Sequence, residues 1–239
     1  AAWGGATLLS NKYRGLMKGI ERADSVTIDA HKQMYVPMGA GMALFKNPHD
    51  ANVVRHHAQY ILREGSKDLV STTLEGSRNG MALTVYSSLH ILGRCGYQLL
   101  IDKAISLAQR FARMINENEN FELITEPVLS ILTYRLRPAH LSAMGEAPLD
   151  QMQSINNDLD DLTVSVQKQQ REAGKSFVSR TRIEVQQYNG SPITVFRVVL
   201  ANPLTTEKDL VNILQEQLSL AESHQVWQQL SQQKLTQIA

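Results

Sequence analysis

The sequence contains a single cysteine, Cys95, among its 239 residues. One thiol excludes an internal disulfide framework and suits a reducing compartment, so we predict a cytoplasmic protein in which Cys95 is packed rather than reactive. An excess of positive charge is also missing, because 24 Lys and Arg face 23 Asp and Glu, for a net charge of +1. Nucleic-acid binding by phosphate neutralisation needs clustered positive charge, so we expect no nucleic-acid partner.

Long apolar runs and several familiar motifs are absent too. No stretch approaches the ~18 apolar residues of a membrane helix, so we expect no membrane partner. A basic stretch followed by an apolar core, the mark of a signal peptide, is not visible at the start of the chain. There is no Walker phosphate loop, and His56-His57 has no third ligand at metal-site spacing, so we expect no metal. The chain begins at Ala1 without Met and reads as though it starts within a longer sequence.

The first half of the chain concentrates glycine and short loops. It holds 11 of the 14 glycines, and glycine lets backbone approach a ligand closely, so we expect this half to carry the site. Alternating residues predict strands over residues 25–29 and 41–46. Apolar residues at spacings of three and four predict helices over residues 81–92, ended by Gly93, and over residues 100–115.

The second half predicts a small antiparallel sheet covered by helices. Three strands are expected, over residues 130–136, 177–185 and 193–200. The last two are joined across Asn189-Gly190, a strong turn dipeptide. An amphipathic helix is expected over residues 152–166, and Thr206 with Asp209 predicts the start of another.

A polar run at residues 116–120 separates these halves. We therefore predict two domains, residues 1–115 and 116–239, the second with an α+β architecture. Trp227, near the end of the chain, is expected to anchor the last helix.

The most informative segment is DSVTIDAHK at residues 24–32. It puts Lys32 where a strand changes to a loop, directly after His31 and before Gly-rich sequence. An amine in a partly desolvated pocket is activated as a nucleophile, and an adjacent imidazole can hydrogen-bond a cofactor phosphate. Taken alone, the pair also fits a surface lysine beside a solvated histidine.

Two further segments indicate anion binding. TLEGSRNG at residues 73–80 precedes a helix, where backbone N–H groups and a hydroxyl form an anion site. An ordinary N-cap also explains that segment. Arg197 lies in an otherwise apolar strand, and its planar guanidinium can bind a carboxylate through two hydrogen bonds. An edge-strand arginine that points to water is the alternative.

Taken together, these motifs resemble the group II pyridoxal-phosphate-dependent amino acid decarboxylases, which include glutamate, aspartate and aromatic amino acid decarboxylases. The resemblance is carried, in order, by AAWGG at 1–5, GIERADS at 19–25, HK at 31–32, EGSR at 75–78 and FRVVLANP at 196–203, and it extends over about residues 1–220. AHKQMYVPMG at 30–39 resembles bacterial members that act on aspartate most closely. The family implies an α/β fold of the fold type I PLP-dependent transferase-like class. Residues 1–115 would form the C-terminal part of the large PLP-binding domain, beside a small α+β C-terminal domain.

The resemblance assigns cofactor roles to residues in the first half. Lys32 matches the lysine that binds pyridoxal 5'-phosphate covalently, and His31 matches the histidine near the cofactor and its phosphate. Ala2 matches the small residue packed against the pyridine ring. Gly76 and Ser77 match a loop that reaches the cofactor phosphate from the neighbouring subunit, so the resemblance implies a homodimer with a shared site.

Further positions complete the comparison. Arg197 matches the arginine that holds the substrate α-carboxylate, and Asp29 falls where relatives often place a polar residue near the phosphate. The loop that carries the Cα proton donor in this family corresponds to residues 63–70, which contain no tyrosine; Tyr60 precedes them. The aspartate that pairs with the pyridine nitrogen would immediately precede Ala1. The resemblance therefore implies the C-terminal half of a decarboxylase, incomplete for catalysis by itself.

The implied reaction is α-decarboxylation of an acidic amino acid by a carboxy-lyase. Conversion of L-aspartate to β-alanine and CO2 is the expected reaction, and decarboxylation of glutamate to GABA is the alternative within the family. A different fold type I enzyme, such as an aminotransferase, and a non-catalytic truncated fragment are the alternatives outside it. Product analysis separates the enzymatic alternatives, because only a decarboxylase releases CO2.

Overall fold

The structure is a computed structural model that describes residues 1–55, 65, 69–73 and 75–233. The chain divides into two compact units, Ala1–Asp102 and Lys103–Ala239, and each is described by itself. The dividing point falls within the long helix α1 (Met81–Asn116). The domain boundary expected after residue 115 lies in the last turn of this helix, and it stays a prediction.

The first unit contains a short antiparallel strand pair. β1 (Ser25–Asp29) pairs with β2 (Gly41–Phe45) along its whole length, and Asp29 lies opposite Gly41 at the end of the ladder. Both strands confirm the prediction from their alternating sequence. The segment that joins them carries Lys32, so the lysine lies at the junction of strand and turn, as expected.

The N-terminal segment of the first unit packs closely on β1. The described 3-10 helices of this unit are Gly4–Leu9, Arg14–Met17, Ile20–Arg22, Pro48–Val54 and Leu69–Thr72. In the first of them, a Cβ on Gly5 would lie 2.6 Å from Ile28 Cγ1, closer than real Cβ atoms approach a neighbour. Glycine is therefore required where this helix crosses β1.

Helix α1 is interrupted at Gly93, which has φ 60° and ψ −180°. The predicted stop is confirmed, but the helix resumes directly, so the two predicted helices form one interrupted element. Tyr97 is buried, and its hydroxyl donates to the Met34 carbonyl at 3.0 Å, which ties the helix to the segment after β1. Cys95 is exposed. The expectation that it is packed was wrong, because no described part of this unit covers that side of the helix.

The second unit is a four-stranded antiparallel sheet with helices. Its strands are β3 (Phe121–Thr125), β4 (Ile131–Leu136), β5 (Ser179–Val185) and β6 (Ser191–Val199), in the order β3-β4-β6-β5. Its helices are α2 (Leu149–Ala173), α3 (Glu207–Glu222), α4 (Gln225–Gln232) and the part of α1 after Asp102, with 3-10 helices at Ala139–Leu141, Met144–Glu146 and Gln186–Tyr188. The predicted α+β architecture is confirmed, and β3 is a strand that the sequence pattern did not indicate.

Two local signals in the second unit form as predicted. Asn189 and Gly190 take positive φ values of 53° and 73° between β5 and β6, the backbone that a tight hairpin requires. Thr206 and Asp209 form a complete capping box at the start of α3. These signals fix where β6 begins and where α3 turns back onto the sheet.

The core of the second unit is centred on an aromatic group. The Tyr134 ring lies 5.4 Å from Phe111 and 5.3 Å from Phe196, measured between ring centroids. The Tyr134 hydroxyl donates to Gln217 at 2.8 Å, and burial raises the pKa of that hydroxyl. Trp227 is 8% exposed and belongs to the same core, so its expected role as an anchor for the last helix is confirmed.

A buried ionic group, the Glu122 cluster (Glu122, Arg135, Arg137, Asn156 and Tyr188), lies in this unit. The Arg135 side chain is 0% exposed, and its Nε donates to Glu122 Oε2 at 2.8 Å. Its Nη1 donates to Asn156 Oδ1 at 2.8 Å. The other Glu122 oxygen accepts from the Tyr188 hydroxyl at 2.5 Å and lies 3.3 Å from Arg137 Nη1. Burial raises the pKa of Tyr188 to about 12.

Candidate active site

The turn that follows β1 is closed by main-chain hydrogen bonds around Lys32. The Lys32 N–H donates to the Asp29 carbonyl at 3.1 Å, and the Tyr35 N–H donates to the Lys32 carbonyl at 3.1 Å. Tyr35 has φ 56°, which is unusual for a bulky residue, and Gly39 has φ 97°. Main-chain hydrogen bonds therefore fix where the backbone of Lys32 lies in this turn.

Lys32 forms an ion pair with the acidic residue three positions before it. Its Nζ lies 2.7 Å from Asp29 Oδ2, with the lysine side chain 36% exposed and the aspartate side chain 17% exposed. The hydrogen bond from Lys32 lowers the pKa of the Asp29 carboxyl below its ordinary value. The resemblance noted Asp29 only as a position where relatives often have a polar residue near the phosphate, and its pairing with Lys32 was not anticipated.

His31 is held beside this ion pair by Ala40, the residue before β2. Its Nδ1 donates to the Ala40 carbonyl at 3.0 Å, and its main-chain N–H donates to the same carbonyl at 3.2 Å. Its Nε2 lies 3.9 Å from Asp29 Oδ2, too long for a hydrogen bond. The bond from Nδ1 fixes the ring orientation and makes Nε2 of the neutral ring an acceptor, for which the described residues supply no hydrogen-bond donor.

The segment that carries Ala2 lies against the same turn. The Asp29 N–H donates to the Ala2 carbonyl at 3.1 Å. In the orientation that satisfies its amide, Gln33 donates to the Trp3 carbonyl at 2.9 Å and accepts from the Trp3 indole at 3.1 Å. The structure thus brings Ala2, His31 and Lys32 together. The Gln33 contact was missed, because nothing in the local sequence signals a bond to a residue 30 positions away.

The other predicted site residues lie elsewhere. Gly76 and Ser77 form an exposed bend before α1, and no hydrogen bond or ion pair among the described residues joins them to Lys32. Arg197 lies on β6 in the second unit and is exposed, although β6 is an inner strand. In the described part of the chain, its guanidinium has no hydrogen-bond or ion-pair partner. The alternative for Arg197 was thus wrong about an edge strand, but the exposed side chain agrees with its other part, an arginine that points to water.

Some of the predicted features fall on residues that the structure does not describe. The pair His56-His57, Tyr60 and most of residues 63–70 lie outside the described residues. Among those that are described, no group of three or more His, Cys, Asp or Glu is arranged to hold a metal ion. Within the same residues, no helix is long and apolar enough to cross a membrane.

A lysine fixed after a strand, with a small residue and an oriented imidazole beside it, is the arrangement of a pyridoxal-binding enzyme. The chain belongs to the family described as "Pyridoxal-dependent decarboxylase conserved domain", which matches residues 1–137. It is 56% identical over 227 residues to aspartate 1-decarboxylase of Aliivibrio fischeri (strain ATCC 700601 / ES114), covering 95% of this chain and 42% of that protein. The identity to L-2,4-diaminobutyrate decarboxylase of Acinetobacter baumannii is 27%, covering 93% of this chain and 41% of that protein.

The fold agrees with this family. The crystal structure of mouse CSAD matches with a TM-score of 0.77 and 25% identity, covering 92% of this chain and 44% of that one. The predicted fold type I class is thereby confirmed. The chain spans less than half the length of the relatives it matches.

Proposed function

We propose that the protein to which these residues belong is a pyridoxal-phosphate-dependent decarboxylase that converts L-aspartate to β-alanine and CO2. The observation that carries the proposal is the 56% identity to an aspartate 1-decarboxylase over 95% of the chain. The identity to a decarboxylase of a diamino acid is about half as high, at 27%. The difference favours an acidic substrate over a basic one.

The residues around Lys32 fit pyridoxal 5'-phosphate. The Lys32 side chain is 36% exposed, so an aldehyde can reach it, and Ala2 beside the turn leaves room for a flat ring. We assign Lys32 to bind the cofactor covalently, His31 to contact it through the free Nε2, and Ala2 to pack on its ring. When bound, the cofactor accepts the electron pair that remains on Cα as CO2 leaves.

Arg197 is proposed to bind the substrate α-carboxylate. The support is its exposure on an inner strand and its free guanidinium in the described chain, because an arginine there is available to a planar carboxylate. An arginine that holds this carboxylate would fix the orientation of the bond that breaks at Cα, and positioning of this kind lowers a reaction barrier. Arg197 is thus assigned to substrate orientation rather than to proton transfer.

Gly76 and Ser77 are proposed to bind the cofactor phosphate of a second subunit. Their support is their exposure in a bend directly before a helix, and backbone N–H groups at such a position bind anions. The assignment makes the protein a homodimer. We also propose a cytoplasmic location, supported by the single cysteine of the chain and its lack of a disulfide partner.

The full-length protein, supplied with pyridoxal phosphate, tests the proposed reaction. We would offer aspartate, glutamate and an aromatic amino acid in turn and measure CO2 and the amine formed. Release from aspartate with formation of β-alanine is expected, and Lys32→Ala should reduce it to background. Lys46→Ala, which removes an exposed lysine, is the matched control and should retain activity. Release from glutamate would reassign the substrate, and no release with the cofactor bound would contradict decarboxylation.

A further inference from the structure

The ion pair beside the proposed cofactor site has no assigned purpose in the reaction above. Asp29 Oδ2 and Lys32 Nζ lie 2.7 Å apart. We propose that Asp29 is a positioning residue that binds the free ammonium group of Lys32 whenever the lysine is not bonded to the cofactor. The proposal rests on the proposed function, since it concerns the lysine that would hold pyridoxal phosphate.

Main-chain hydrogen bonds hold both residues of the Asp29–Lys32 contact in place. Because the turn after β1 is closed by the bond from the Lys32 N–H to the Asp29 carbonyl at 3.1 Å, the two side chains leave the same side of the turn. Asp29 itself is fixed by the bond from its N–H to Ala2 at 3.1 Å. Opposite, Gly41 pairs with Asp29 in the ladder, and a Cβ there would lie 3.7 Å from Asp29 Oδ1, at ordinary van der Waals distance, so β2 borders the carboxylate without crowding it.

The chemistry of Asp29 favours an ammonium partner over a phosphate. An ionised carboxylate is only an acceptor, and it repels a phosphate oxygen. Its ionised form is the one present here, because the bond from Lys32 lowers the pKa of the Asp29 carboxyl. The Asp29 carboxylate therefore stabilises Lys32 most when the lysine is an ammonium ion. That is the form it has when it is not bonded to the cofactor.

His31 does not compete for the carboxylate. Its Nδ1 is used by the Ala40 carbonyl at 3.0 Å, and its Nε2 stands 3.9 Å from Asp29 Oδ2, beyond hydrogen-bond distance. Lys32 is thus the cation that the carboxylate holds. The carboxylate keeps the released amine at one place near the turn instead of leaving it mobile in solvent.

The reactivity of Lys32 in the cofactor-free, full-length protein tests this role. Trace acetylation at neutral pH attacks neutral amines, and peptide mass spectrometry gives the labelling of Lys32 relative to the exposed Lys18 in the same sample. We expect Asp29→Asn to raise this ratio about threefold, because the carboxylate that stabilises the ammonium is lost. Asp29→Glu keeps the charge and should restore slow labelling, which a purely structural role would not produce.

Asp24→Asn is the matched control, because it removes an exposed carboxylate next to the start of the same strand. It should leave the ratio unchanged. If Asp29→Asn fails to fold, Asp29→Ser carries the same test. A folded variant without the carboxylate that labels like the wild type, or an equal rise in the Asp24 variant, would overturn the proposal. Protection of Lys32 by added pyridoxal phosphate is scored separately, and its absence would contradict the proposed function alone.

Discussion

At the scale of single residues, Gly5 has little room for a side chain, because Ile28 lies against it. A Cβ at residue 5 would lie 2.6 Å from Ile28 Cγ1 and 2.9 Å from its Cδ1. We expect Gly5→Ala to lower the free energy of unfolding by about 1–3 kcal/mol, because the helix must move off β1 to admit the methyl group. Urea unfolding of the full-length protein measures the change.

Gly15→Ala is the matched control for this substitution. Nothing lies within 4 Å of a Cβ at residue 15, so its effect should stay within about 0.5 kcal/mol. Adding Ile28→Ala to Gly5→Ala should cost less than the two single changes together, since the clash is then relieved. Equal effects of Gly5→Ala and Gly15→Ala would show that the close approach is not what requires glycine.

The residues of the site were only partly predictable from sequence. Lys32 and His31 follow from a strand that ends before a dipeptide, and both lie where that pattern placed them. Asp29 was noticed, but its partner depends on how the turn folds, which composition does not reveal. Gln33 joins Trp3 through side-chain and main-chain atoms far apart in sequence, and such a contact leaves no local periodicity.

At the scale of secondary-structure elements, the Glu122 cluster joins β3 and β4 to α2. Glu122 is the carboxylate that faces both Arg135 and Arg137. We expect Glu122→Gln to lower the free energy of unfolding by about 3–5 kcal/mol, because it leaves a fully buried guanidinium without its counter-charge. Thermal unfolding monitored by circular dichroism measures the loss.

Glu119→Gln is the control, since Glu119 is exposed just before the same strand. Its effect should not exceed about 0.5 kcal/mol. A Glu122 variant as stable as the Glu119 variant would mean that water or a rearranged neighbour replaces the carboxylate. The cluster would then occupy buried space without contributing to the free energy of unfolding.

The elements themselves were predicted where the signal is local. The capping box at Thr206 and the hairpin at Asn189 need only neighbouring residues, and both form. Strand β3 was missed because Glu122 interrupts the apolar pattern of a short segment. The partners of the buried Glu122 are Arg135 in β4, Arg137 just after it and the Tyr188 hydroxyl, so its burial depends on tertiary structure.

At the scale of the whole molecule, the proposed site needs two chains. If Ser77 serves the cofactor of the partner subunit, a heterodimer of Lys32→Ala and Ser77→Ala subunits of the full-length protein has one intact site of two. We expect about half of the wild-type activity in that heterodimer. Steady-state CO2 release from purified, differently tagged heterodimers measures it.

The two parent homodimers supply the comparison, because neither has an intact site. Both should be strongly impaired, and the heterodimer should exceed their mean. A heterodimer with no more activity than the Ser77→Ala homodimer would mean that Ser77 acts within its own subunit or not at all. Either result leaves the assignment of Lys32 untouched.

The pairing of Asp29 with Lys32 also has an entropic consequence. A lysine side chain loses about 1.5–2 kcal/mol of rotamer freedom when it is fixed in one place. Part of that entropy is already lost in the folded, cofactor-free chain, because the ion pair with Asp29 restricts the positions that the Lys32 amine can take. A ligand that bonds to the Lys32 amine then removes less side-chain entropy. The entropic cost that opposes its binding is correspondingly smaller.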